Sequence, residues 1–115
     1  MKKLLTAIFI ALISVPGFAM TESAKNEITK ALTGDYQAMR NVAFSMKNAS
    51  FGHDRNPIAG CAFRRLILLV HSEKADSVDY NNEYIDCRAL SLAENERSWK
   101  TTITLLPEIL SETNK

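Results

Sequence analysis

The chain has no surplus of either charge. Its 14 Lys and Arg stand against 13 Asp and Glu, a formal net charge of +1 at pH 7. So even a balance gives no electrostatic attraction for nucleic acid or for an anionic membrane surface. Like charges do not gather either, and no run of five marks a solvating tail. Cysteine is scarce: Cys61 and Cys87 are the pair, too far apart in sequence for a Cys-x-x-Cys redox motif. The two histidines, His53 and His71, lack the close His-x-x-x-His spacing of zinc sites. No nucleophile-elbow motif marks a hydrolase serine. Strand signals are few. What remains is a set of helix signals recurring along a short chain.

The amino terminus carries the clearest single pattern. Lys2 and Lys3 precede an apolar run from Leu4 to Val15, and Pro16-Gly17 break it. Small residues at Gly17 and Ala19 match the positions a signal peptidase reads, so residues 1–19 read as a secretory signal peptide. The run is shorter than the roughly 20 apolar residues of a membrane-spanning helix. No cysteine near the cleavage point offers a lipid anchor. The short lysine start is bacterial in style, which makes the periplasm the expected destination, with no membrane attachment after cleavage. Cleavage removes two lysines and no acid, which moves the balance from +1 to −1. In an oxidising compartment Cys61 and Cys87 are expected to pair. Closing a loop of that length stabilises a domain by about 3.5 kcal/mol in the chain-entropy account.

Residues 20–115 read as one all-α domain of four to five helices in antiparallel hairpins. Thr21 to Ala31 is a weakly apolar first helix, with Ile28 and Leu32 as its large apolar residues. Gly34 ends it and Asp35 caps the next. Tyr36, Met39, Val42, Ala43 and Met46 fall on one face of a second helix over about 36–47. A loop rich in Asn, Ser, Gly and His follows over 48–55 and is expected at the surface. Asn56-Pro57 is a sharp start signal for a third helix to about His71. That helix is apolar nearly all round, so it is central, with Arg64 and Arg65 as its solvent-facing strip. Residues 72–79 read as a polar loop. A fourth helix over about 80–90 turns Tyr84, Cys87 and Ile85 inward. Ser91-Leu92-Ala93-Glu94 matches a capping box that opens a fifth. Its core face is Leu92, Trp99, Ile103 and Leu106, and Pro107 ends or kinks it. Ile109 and Leu110 dock as a last turn of the tail.

The stretch Ala31-Leu32-Thr33-Gly34-Asp35-Tyr36-Gln37-Ala38, with Asn41-Val42-Ala43-Phe44, resembles the first helix of a Sel-one-like repeat, a relative of the tetratricopeptide repeat. Asn56-Pro57 with Ala59, Ala62 and Phe63 resembles its second helix. The likeness covers one degenerate repeat over about residues 31–70. Gly52 alone stands where the family has several glycines, and no second repeat follows, although such arrays usually need about three units. The resemblance implies a helix-hairpin scaffold that contacts other proteins. It implies no catalytic residue.

Candidate site residues follow from the loops. Phe51, His53, Asp54 and Arg55 give the 48–56 loop the widest chemical variety, and Tyr80 is an exposed aromatic near the start of the fourth helix. These five are the candidate partner-binding residues. The two loops concerned fall at opposite ends of the central helix. A metal set of His53, His71, Asp54, Asp76 and Asp79, and a hydrolase set of Ser72, His71 and Asp76, can be written from the same residues. Neither has a motif behind it, and no cofactor is implied. The expectation is a small exported protein that works by binding another protein, as an adaptor or as an inhibitor or immunity factor of a periplasmic enzyme. The alternative is a minor hydrolase or metal-binding protein. Surplus apolar residues on the third helix also raise a homodimer.

Overall fold

A computed structural model describes residues 20–114, so the expected signal peptide over residues 1–19 lies outside it. Five helices follow one another: α1 (Glu22–Leu32), α2 (Tyr36–Asn48), α3 (Pro57–Val70), α4 (Ser77–Arg88) and α5 (Leu92–Thr113). Among the described residues there is no strand. The fold is all-α, and Cys61 and Cys87 are joined in a disulfide.

Each helix start has a side chain that satisfies its orphan amides. Thr21, Asp35, Asn56, Asp76 and Ser91 accept from backbone amides of their first turns. Gly34, at φ 92°, leads out of α1, and a Cβ there would lie 2.1 Å from Thr113 Cγ2. Only glycine meets both demands, the left-handed turn and the close approach of the end of α5.

The third helix is central. It packs against α2, α4 and α5, while α1 lies on α2 and touches α5. Ile28, Met39, Val42, Met46, Phe63, Leu66, Ile67, Leu105 and Ile109 form the core between them. Cys61–Cys87, Arg64–Asp86 and Arg65–Glu83 pair α3 with α4 in antiparallel order. The end of α5 meets Gly34, whose carbonyl also bonds the His71 ring at the end of α3. Arg65, mid-way along α3, meets Asn95 and Ser98 near the start of α5. Hence α3 and α5 run in the same direction.

Several sequence expectations are corrected. Arg64 and Arg65 are buried rather than solvent-facing. Arg64 Nε donates to Asp86 Oδ2 at 3.0 Å. Arg65 reaches Glu83, Ser98 and Asn95 and lies over the Trp99 ring at 4.0 Å. The fourth helix starts at Ser77 rather than Tyr80, because Asp76 and Asp79 form a reciprocal capping box. Its inward residues are Asp79, Asp86 and Cys87, and Tyr84 and Ile85 point outward. The fifth helix continues through Pro107 to Thr113. Pro107 is exposed, so the carbonyl it leaves unbonded, that of Ile103, lies on the solvent side, where water can satisfy it. The buried face of α5 is Ser98, Thr102, Leu105 and Ile109, while Leu92, Trp99 and Ile103 remain exposed.

Candidate functional site

The loop between α2 and α3 folds back over the start of α1. Ala49 leaves α2 in the left-handed region, at φ 52°. Phe51 is left-handed too, also at φ 52°, and Gly52 follows at φ 80°. The loop is fastened at both sides. Ser50 N donates to Ser45 O at 3.0 Å, Asn56 N to Met46 O at 2.8 Å, and Thr21 N donates across to Gly52 O at 3.2 Å. A Cβ on Gly52 would stand 2.2 Å from Thr21 Oγ1, so that crossing requires glycine.

This fastening presents Phe51 to solvent, 76% exposed, beside Phe44 of α2, 49% exposed. Between them lies an open groove of about 370 Å³, lined by Ser23, Glu27, Asn41, Phe44, Ser45 and Phe51. The Glu27 carboxylate is its polar feature. Asn41 Nδ2 donates to Glu27 Oε2 at 3.3 Å, and Glu27 Oε1 lies 3.4 Å from His53 Nε2. The groove therefore offers two aromatic edges and one half-exposed acid, which suits an apolar side chain flanked by a donor or a cation.

Among the candidate residues, Phe51 alone lines the groove. His53 is buried rather than exposed, and its Nδ1 has no hydrogen-bond partner among the described residues. Burial pushes its pKa below the ordinary 6.5, against the opposing influence of Glu27 and Asp54. His53 is a support beneath the loop and reaches the groove only through Glu27. Asp54 is half-buried and Arg55 exposed. Arg55 acts toward the start of α5: Glu94 is held below its ordinary carboxylate range first by its bonds with Ser91 and then by Arg97 and Arg55. Tyr80 is exposed on α4, near the opposite end of α3, and does not join the other four. Phe44, Glu27 and Asn41 were missed by sequence reasoning. Phe44 falls off the apolar face of α2 traced by Met39, Val42 and Met46, and a large aromatic on a polar face was the available signal.

At the opposite end of α3 the ionisable residues are committed to structure. Tyr36 donates its hydroxyl to buried Asp79, and this bond raises the Tyr36 pKa. Arg40 Nε lies 3.3 Å from Asp79 Oδ1. His71 Nε2 bonds the Gly34 carbonyl, and its ring stands edge-on to Tyr36, 5.3 Å away. Asp76 is occupied in capping α4. The set Ser72, His71 and Asp76 is therefore not assembled as a relay. The two histidines lie at opposite ends of the molecule. Among the described residues no group of three or more His, Cys, Asp or Glu side chains is placed to hold a metal ion.

Comparison with protein-family models, with curated proteins and with solved structures finds no match.

Proposed function

We propose that this protein is exported and acts by binding another protein through the groove edged by Phe44 and Phe51. The observation that carries this reading is Phe51 itself. An aromatic side chain is held in the left-handed region, exposed to water, by a loop bonded to α1, α2 and the start of α3. Strain and exposure of this kind cost stability and cluster at functional sites. The bound segment presents an apolar side chain between the two rings and a hydrogen-bond donor or cation to Glu27. Pre-formed anchors of this type dominate binding energy in small interfaces. The disulfide accords with an oxidising destination. An adaptor, or an inhibitor or immunity factor of a periplasmic enzyme, is the concrete form of this role. The resemblance of residues 31–70 to a Sel-one-like hairpin points toward the same kind of work.

The test is affinity capture from the exported proteins of the source cell, run side by side with Phe51→Asp and with Leu69→Asp as a surface control. A specific partner held by the unaltered protein and by Leu69→Asp, but lost with Phe51→Asp, supports the reading. Capture of the same partner by Phe51→Asp overturns it.

A further inference from the structure

His53 sits beneath the loop that edges the groove, directly after Gly52, and it is buried. No protein group makes a well-formed hydrogen bond with its ring. Nδ1 has no partner among the described residues, and Nε2 stands 3.4 Å from Glu27 Oε1, longer than a good N–H···O bond. Ser50 Oγ, in the same loop, is buried without a partner as well. Two charged groups act on the ring, Glu27 from α1 and Asp54 from the loop itself. Both favour its charged form, but both keep contact with solvent, and burial outweighs them. The closed loop therefore accepts a neutral ring and resists a proton on it. Little else holds the loop down. Among the described residues one backbone bond crosses from it to the start of α1, Thr21 N to Gly52 O at 3.2 Å. The bonds to Ser45 O and Met46 O lie at its two roots and can hold while the middle lifts. Ala49 and Phe51 are both left-handed, at φ 52°, and opening relaxes them. Phe51 is exposed, so its ring adds no apolar burial against opening.

We propose that residues 50–55 form a pH-operated latch. With His53 neutral the loop lies on α1 and sets Phe51 at the groove edge; a proton on His53 lifts the loop and dismantles that edge. The latch rests on the reading of the Phe44–Phe51 groove as a binding site and adds a condition to it: a partner is held near neutral pH and released in mild acid. In the open loop His53 is hydrated and titrates near 6.5, while the closed loop excludes the proton. Opening is therefore favoured only as the pH falls below that value. For a ring that cannot take a proton while closed, the opening constant rises up to about 30-fold between pH 7.5 and pH 5. The competing outcome is that Glu27 turns to the charged ring and tightens the loop in acid. Its other oxygen already takes a bond from Asn41 Nδ2 at 3.3 Å, and its carboxylate is 30% exposed. Pairing with the buried ring would strip water from both ions, which disfavours that course.

Hydrogen exchange and NMR of the oxidised protein, free of any partner, test the latch. The Thr21 and His53 amides are expected to exchange through an opening smaller than the one that frees Leu66 in the core. Their protection, corrected for the intrinsic effect of pH, falls about 10- to 30-fold between pH 7.5 and pH 5, and His53→Gln abolishes the fall. The His53 ring signals, which need no variant, titrate with a midpoint below 6.5. A midpoint at or above 6.5, protection that does not change, or an equal fall in His53→Gln overturns the proposal. So does a Thr21 amide as protected as that of Leu66, since the loop would then not open by itself. A partner captured through Phe51 is expected to elute between pH 7.5 and pH 5. One that stays bound above an open loop overturns the release and leaves the groove reading standing. Capture that ignores Phe51 removes the groove reading and leaves the exchange data as they are, so the two fail separately.

Discussion

The ammonium of Lys47 lies 2.6 Å from Oδ1 of Asp86, a carboxylate buried between α2, α3 and α4. Asp86 Oδ2 takes a second bond from buried Arg64. Arg40 reaches Asp79 in the same way. Arg40 and Lys47 are seven residues apart on α2, and so are Asp79 and Asp86 on α4, so the two helices run side by side in one direction. Glu83, between the two aspartates, takes Arg65. The inner face of α4 is thus an acidic ladder matched to bases on two other helices, and its aromatics face outward. Removing one member of such a buried set leaves an uncompensated charge.

Asp86→Ala is therefore expected to cost about 3–5 kcal/mol. A double variant, Asp86→Leu with Arg64→Met, is expected to recover most of that loss, because Lys47 is exposed enough to turn to water. Urea denaturation of the single and double variants checks both statements. A double variant as unstable as Asp86→Ala would mean that the pair contributes through more than cancelled desolvation.

Much of this fold is readable from short local signals. Asp35, Asn56-Pro57 and Ser91 with Glu94 place three helix starts correctly, because a cap needs only residues three apart. The Cys61–Cys87 bridge follows from there being one pair. What escapes is long-range. Arg64 and Arg65 read as a solvent strip because their partners, Asp86, Glu83 and Asn95, lie some 20 to 30 residues on. The spacing of Asp79, Glu83 and Asp86 was the legible trace, a stripe of acids at helical intervals, but periodicity of apolar residues outweighed it and turned α4 inside out. The same bias assigned Trp99 and Ile103 to the core. At the groove, Phe51 was found because an aromatic in a polar loop is conspicuous. His53 was misplaced because nothing local says that residues 50–53 fold down onto α1.

Loss of the disulfide is expected to cost about 2–4 kcal/mol, and α4 bears the effect first. Its remaining side-chain anchors are the ion pairs of the ladder and the Tyr36–Asp79 hydrogen bond, since its apolar residues Val78, Tyr80, Tyr84 and Ile85 face water. Amide hydrogen exchange in Cys61→Ala/Cys87→Ala checks this. Protection in α4 falls more than in α2 or α3. A uniform loss across all five helices would show that α4 does not open on its own.

Stability is expected to fall with acid earlier than carboxylates alone would make it. His53 is buried with its pKa lowered by burial, while the unfolded chain titrates near 6.5. Below that value the unfolded chain takes up a proton that the folded one excludes. The contribution is therefore full above about pH 6.5 and is lost as pH falls toward the folded value. Chemical denaturation at pH 7.5 and pH 5 measures the slope. His53→Gln flattens it, whatever its effect at neutral pH, and an unchanged slope would place the titrating group elsewhere.

Phe51 is expected to trade stability for binding. Its backbone sits at φ 52°, a conformation asparagine adopts far more readily than phenylalanine, and its ring gains nothing from the core. Phe51→Asn should therefore stabilise the protein by about 0.5–1 kcal/mol, part of the 1–3 kcal/mol such strain typically stores. Phe51→Ala keeps a Cβ in the same left-handed position and should leave stability within about 0.5 kcal/mol. Both remove the ring from the groove edge and should lose the captured partner alike. Urea midpoints read the first effect and capture the second. An Asn variant no more stable than the Ala variant would show that the loop relaxes when the ring is removed. In that case the strain at Phe51 is not held by the bonds to Thr21, Ser45 and Met46.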